Sequence, residues 1–415
     1  KEGEEVYYYV ILEYPNNNEN QNRDIGGSFK GEVTVEINDI TPDISIIATY
    51  IEENGGYKEV SEIPREGYEL NEEKSSCNNN AKLGWDKENS RIYVEKLNKS
   101  GTECILYYDE YVSAKDTILA DKEIKIRNLP FTTSTIVTDT TTGVIYKAED
   151  DWGDTYYFAG NPQDNWVKFA GYYWRIIRIN GDGSIRLIYN GTGTVTTGSS
   201  TMINSSQAFN SSYNRSEYVG YMYASGQQHG NTTDSSIKDV LDSWYGSNLA
   251  SQADKISKEA GFCGDKEMAS GSWNSTGSTH YYAGYGRLVQ NGNSVNPTFK
   301  CSNSNDLYTT SGSSKGNKVL ANPIGLITAD EIIMAGGSWS SGNGSYYLYN
   351  NANYWTISPH RFTSTGYAYT FRVHSGGNLG YTNVNDTSGV RPVINIASDV
   401  TIRSGNGTSS TPYEI

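Results

Sequence analysis

The sequence is short of the residues that build large aliphatic cores and membrane spans. Hydrophobic residues make up 36% of the 415, and only four are Met. No apolar run approaches the roughly 18–20 residues that a membrane-spanning helix needs, so no span is expected. Positive charge is scarce as well: 33 Lys and Arg stand against 48 Asp and Glu, a net charge of −15. That deficit argues against nucleic acid and anionic membrane as main partners. There are four His, with no H-E-x-x-H or other metal-ligand spacing, so neither a metal nor another cofactor is expected. The four cysteines, Cys77, Cys104, Cys263 and Cys301, form no C-x-x-C pair, which weakens zinc-ribbon and thioredoxin-type readings. What is abundant is Tyr, at 34 residues, and Gly, at 43, in a chain rich in Ser and Asn. A disordered chain would be poor in aromatics, so this one folds, with much irregular polar surface. Tyr among small polar residues is the chemistry of binding loops, where a rigid ring gives contact area at low entropy cost.

The length exceeds one ordinary domain, and the composition shifts along it. Residues 1–130 hold 27 acids and 15 bases, and the rest 21 and 18. Gly runs the other way, with 9 before residue 131 and 34 after. The charged opening, Lys1-Glu2-Gly3-Glu4-Glu5, does not read as a signal peptide, so the expectation is either that a signal was removed or that this chain starts after it. The run from Val6 to Tyr14 is β-branched and aromatic, hence a strand, and an Asn-rich loop follows to residue 27. Short alternating runs at 29–37, 44–51, 91–94 and 104–108, separated by turn residues, predict a small Ig-like β-sandwich over 28–112. A Thr-rich linker is expected at 113–145 and a larger, loop-rich α+β domain at 146–415, so the fold class is mainly β with some α.

In the larger part, 167–179 reads as one long strand. Asn180-Gly181-Asp182-Gly183 turns it into a partner at 184–189. Ile237, Val240, Leu241 and Trp244 share one face of a helix over 234–245, and a second helix is expected at 248–260. Thr328 and Glu331 form a capping box that starts a third helix, stopped by Gly336-Gly337. One disulfide per domain favours Cys77–Cys104 and Cys263–Cys301 among the three connectivities. Such bridges place the chain in an oxidising, extracellular or cell-surface setting.

Most catalytic motifs fail on context. Gly312-Ser313-Ser314-Lys315-Gly316 matches G-x-S-x-G, but it lies in a Ser/Gly loop and not between a strand and a helix. Asn18, Asn20, Asn22 and Asp24 alternate like calcium ligands, yet they are poor in carboxylate. Asp150, Asp151 and Asp154 around Trp152 are a second oxygen cluster, for which a solvated structural role is favoured. No carboxylate pair suited to glycoside hydrolysis stands out. The informative stretch is 338–383. It holds Trp339, Tyr347, Asn353, Tyr354, His360, Arg361, Arg372 and His374, taken here as the candidate ligand-binding residues. In the strand 367–373, alternation puts Tyr367, Tyr369, Phe371 and Val373 on one face, read as core. Thr370, Arg372 and His374 fall on the other, read as the binding side. Aromatic platforms with amide donors suit a glycan or protein ligand.

A family resemblance rests on five segments: Tyr156-Tyr-Phe-Ala-Gly-Asn161, Trp166 through Asn180, Pro323 through Glu331, Tyr354-Trp-Thr-Ile-Ser-Pro359, and Ser388-Gly-Val-Arg-Pro-Val-Ile-Asn395. Together they resemble the C-type-lectin-like module at the end of large surface proteins of Gram-positive-type bacteria. That group includes formylglycine-generating-enzyme-like domains and the variable proteins of diversity-generating retroelements. The resemblance implies a compact scaffold whose long loops present a ligand surface. It does not carry over the enzyme chemistry, because no cysteine follows Cys301. Calcium-dependent sugar binding is not carried over either, since Glu-Pro-Asn and Gln-Pro-Asp are absent. The expectation is an extracellular, non-catalytic recognition or adhesion protein. The alternative is a filament or surface-layer subunit that assembles as a homo-oligomer by donating the strand Val6 to Tyr14. A wall- or glycan-acting hydrolase ranks third.

Overall fold

The computed structural model describes residues 44–64, 67–86, 91–97, 99–128, 131, 141–194, 197–289, 295–339 and 341–415. The donor strand from Val6 to Tyr14, the Asn-rich loop, the run at 29–37 and most of the Thr-rich stretch lie outside them. The fold is mainly β with some α, and the chain divides into two compact units, Lys1–Val112 and Ser113–Ile415.

In the first unit, strands Ile44–Glu53 and Thr102–Glu110 run parallel at the centre of a sheet. Gly56–Val60 and Tyr68–Leu70 flank them antiparallel. Asn54 and Gly55 both have positive φ (55° and 77°), which suits the two-residue hairpin closing at Glu53 and Gly56. Alternation along Thr102–Glu110 buries Thr102, Cys104, Leu106 and Tyr108. The hairpin Lys82–Asp86/Arg91–Glu95 brings Leu83, Trp85 and Ile92 onto that face. Sheet and hairpin thus make a two-layer sandwich with a very small core, and the Cys77–Cys104 disulfide joins two paired strands of the sheet.

The second unit begins within what the sequence presents as linker. Ser113 caps helix Ala114–Ala120, its hydroxyl accepting from the Asp116 N–H at 3.1 Å. Ala114 and Ile118 are buried, and strand Glu123–Ile126 pairs in parallel with Val144–Asp150. The Thr-rich composition dominates the middle of that stretch and hides the short regular elements before it.

An eight-stranded sheet follows, in spatial order Val393–Ile396, Ile185–Tyr189, Tyr172–Ile179, Gly153–Tyr157, Val144–Asp150 and Glu123–Ile126. Trp166–Phe169 pairs with Tyr172–Ile179 and with Tyr413–Glu414. The expected single strand over 167–179 is therefore two. Ala170 and Gly171 have φ of 52° and 79°, a two-residue turn inside a hydrophobic run. A six-stranded sheet carries Asn204–Ala208, Thr387–Val390, Tyr354–Thr363, Tyr367–Val373 and Leu379–Asn383, with His280–Tyr281 beside Tyr354–Thr363. One continuous core joins both sheets to the helices.

Helix Ser236–Asn248 buries Ile237, Leu241 and Tyr245, and Trp244 meets the rings of Tyr172, Trp174 and Tyr189. The second expected helix is a short 3-10 segment, Ala250–Lys255, broken at Gln252. The capping box is present: the Glu331 N–H donates to Thr328 Oγ1 at 3.0 Å, and the Thr328 N–H to Glu331 Oε2 at 2.9 Å. Gly336, at φ 116°, ends helix Ala329–Ala335. Cys263 and Cys301 are bridged, so each unit holds one disulfide.

Candidate binding surface

The six-stranded sheet sets Tyr281, Arg361, Tyr369 and Asn383 directly opposite one another across four strands. Such opposed positions share a face, because side chains alternate along a strand. All four are half-buried. The Arg361 guanidinium lies 4.8 Å from the centre of the Tyr369 ring and 4.4 Å from that of Tyr381. Its Nη2 donates to the Tyr381 hydroxyl at 3.1 Å.

A stack of near-parallel rings adjoins it. His360 lies 4.1 Å from Tyr381 at 16°, and Trp339 lies 5.8 Å from His360 at 18°. Phe371 closes the stack edge-on, and Tyr285, itself stacked on Tyr281, meets His360 edge-on. Trp339, Tyr381 and Tyr285 are half-buried, whereas His360 is enclosed. Burial, followed by the charge of Arg361, pushes the His360 pKa down to about 2. The imidazole is neutral at any physiological pH, and neither of its nitrogens has a hydrogen-bond partner among the described residues.

Consecutive residues of a regular strand point to opposite faces, yet His360 and Arg361 both reach Tyr381. The register of Tyr354–Thr363 slips on either side of Pro359, which re-aims the side chains that follow. Proline has no N–H for the ladder, so a strand carrying it internally breaks register there.

Of the eight residues expected to bind ligand, Trp339, His360 and Arg361 come together here. Arg372 and His374 lie on the reverse of the strand from Tyr369 and Phe371. Arg372 Nη1 donates to Ser388 Oγ at 3.2 Å, and the His374 ring fills the space over Gly380. Burial, aided by Arg372, lowers the His374 pKa. Asn353 is a turn clamp, its Oδ1 accepting from the Ser375 N–H at 2.9 Å.

Two of the expected residues are corrected outright. Tyr347 is buried beneath the Arg175 guanidinium and Tyr354 beneath that of Arg391, so both rings shield buried cations instead of facing a ligand. The reading of the Tyr369 face as core holds for Phe371 and Val373 but not for Tyr369, and Arg372 and His374 on the other face are half-buried too. Thr370, on that other face, is buried. Tyr281, Tyr285, Tyr369 and Tyr381 belong to the surface and were not singled out as ligand-binding. Alternation marked Tyr369 and Phe371 as co-facial, but only strand pairing adds Tyr281 and Tyr381.

A second polar concentration lies beside the Cys263–Cys301 bridge. Arg178 pairs with Asp150 and Glu331, Arg186 with Glu331, and Arg287 with Asp265 and Asp330. The cleft among them offers about 20 Å³, room for little more than one water. Its carboxylates Asp265, Asp330 and Glu331 are paired with arginines, and it is too narrow for a sugar. The acids of the Asp150, Asp151 and Asp154 cluster likewise go separate ways. Asp150 meets Arg178, Asp154 meets Lys147, and Asp151 accepts from the Cys301 N–H. Among the described residues, no group of three or more His, Cys, Asp or Glu is placed to hold a metal ion. No helix described is long and apolar enough to cross a membrane. No family model, curated protein or solved structure matches the chain.

Proposed function

We propose that this is a non-catalytic extracellular recognition protein whose larger unit, a C-type-lectin-like head on the motif resemblance, binds carbohydrate. The site is the aromatic face of Trp339, Tyr369 and Tyr381 around Arg361. The observation that carries this reading is the pair of half-buried rings, Trp339 and Tyr381, stacked on the enclosed His360 with a guanidinium at their side. The hydrophobic face of a pyranose packs on such rings, while polar neighbours meet its hydroxyls. A glycan suits this better than a protein partner, because the half-buried groups of this face are mainly flat aromatics with one amide, Asn383. Two disulfides and the absence of a described membrane-crossing helix are compatible with an extracellular setting.

Alanine substitutions on the two faces of the sheet test the assignment. Trp339→Ala and Tyr381→Ala are expected to weaken glycan binding on the order of tenfold or more, as loss of a central aromatic anchor does. Arg372→Ala, on the reverse face, is expected to bind as the wild type does. Unchanged binding in the two aromatic variants, measured on folded protein over a glycan array, sinks the site.

A further inference from the structure

The partners of the arginines in the larger unit set Arg361 and Arg372 apart. Arg178, Arg186 and Arg287 each face a carboxylate. Arg175 and Arg391 lack one but are fully enclosed. Their donors are taken up by backbone carbonyls and by Asn165 and Asn190. Arg361 and Arg372 have neither arrangement: among the described residues Arg372 bonds Ser388 Oγ and also keeps a buried Nε–H without an acceptor, and of the two it is Arg361 that lies against aromatic rings. Among the described residues its one hydrogen bond goes to the Tyr381 hydroxyl, no carboxylate pairs with it, and its Nε–H is buried without an acceptor. A desolvated cation with an orphaned donor is costly to keep, and the cost falls when a ligand brings the missing anion.

The neighbours supply no anion. His360 is neutral, its nitrogens unpartnered, and the rings of Tyr369 and Tyr381 hold the guanidinium plane in place. In a chain of net charge −15, a cation left without a carboxylate partner on a half-open aromatic face is conspicuous. A guanidinium fork presents paired N–H groups, the geometry that matches a carboxylate and that a Lys ammonium does not reproduce. Asn383, at the end of the same cross-strand row, has a buried Oδ1 with no donor, which suits a sugar hydroxyl.

We propose that this face selects a carboxylate-bearing saccharide, a uronate or nonulosonate. Its ring stacks on Trp339 and Tyr381, its carboxylate is held by Arg361, and a hydroxyl donates to Asn383. This rests on the carbohydrate reading above and adds the charge class of the ligand.

The test applies the full chain to an array of matched acidic and neutral oligosaccharides, then measures affinity for the best-bound glycan before and after reduction of its carboxylate to the primary alcohol. The expected result is binding confined to carboxylate-bearing glycans, weakened by added salt and reduced at least tenfold by carboxyl reduction. Arg361→Gln is expected to lose at least tenfold for the acidic glycan while its thermal midpoint stays close to the wild type, with Arg361→Lys intermediate. Carboxyl reduction needs no variant, so a misfolded Arg361→Gln would leave the test intact. Equal binding to neutral and reduced glycans overturns the acidic assignment and leaves carbohydrate recognition standing. Binding to no glycan overturns both.

Discussion

Glu331 serves three groups at once. Its carboxylate closes the capping box on the Thr328 N–H, lies 2.6 Å from Arg186 Nε and 3.2 Å from Arg178 Nε. Burial works against its ionisation, but Arg186 and Arg178 outweigh it and hold the pKa below the usual value. Removing a single partner from such a buried network leaves uncompensated charge, which costs far more than the intact network contributes. Glu331→Gln keeps the shape and removes the charge, so a destabilisation of about 3–5 kcal/mol is expected in urea unfolding. A loss under about 1 kcal/mol would mean that the two arginines find other acceptors. The residue scale was partly legible: Thr328 and Glu331 announced the cap by their spacing. Arg178 and Arg186 gave no sign, since each lies in a hydrophobic strand distant in sequence.

At the scale of elements, three loops are tied by one carboxylate. Asp306, fully buried, takes His229 Nδ1 at 2.9 Å and the Lys266 N–H at 2.7 Å, with Lys266 Nζ at 3.5 Å. The hydrogen bond to Asp306 raises the His229 pKa above its ordinary 6.5, against an opposing contribution from burial. A raised folded pKa means that protonated His229 stabilises the fold. That contribution is complete below pH 6.5, the unfolded value, and fades as the pH climbs through the higher folded one. Wild-type stability is therefore expected to decline from pH 6 to pH 8 by more than that of His229→Asn, as read from urea midpoints. Parallel curves would show that the pair does not titrate in this range. Two other element-level readings failed. The strand over 167–179 was split because Ala170-Gly171 forms its turn with no polar residue to mark it. The helix expected at 248–260 is a 3-10 turn that ends at Ile256, which is extended and bridges Ile396, although Leu249, Ala253, Ile256 and Ala260 have helical spacing.

For the whole molecule, the two units rest on unequal cores. The first has Leu70, Cys104, Leu106 and Tyr108 as its buried cluster, whereas the second has a core joining two sheets. A core that small contributes little by itself, so a cross-link matters more there. Each disulfide is worth about 3–4 kcal/mol in the chain-entropy model, for separations of 27 and 38 residues. Replacing Cys77 and Cys104 by Ala is expected to abolish amide protection throughout 44–112 and to leave 113–415 protected, as read by hydrogen exchange. Retained protection in the first unit would show that its sheet stands without the bridge.

The sequence by itself determined the β-rich class, the capping box, the amphipathic helix and the hairpin at Asn180. Each depends on neighbours within a few residues, where periodicity and turn chemistry act directly. It also singled out Trp339, His360 and Arg361, because aromatics and cations are dense around them. Tertiary structure alone decided which of those side chains face outward. Tyr347 and Tyr354 are indistinguishable from Tyr369 and Tyr381 by type, yet the first two are buried over enclosed arginines and the others are half-buried around Arg361. That difference depends on which strands pair and on a register slip at Pro359, and both are set by contacts far apart in the chain.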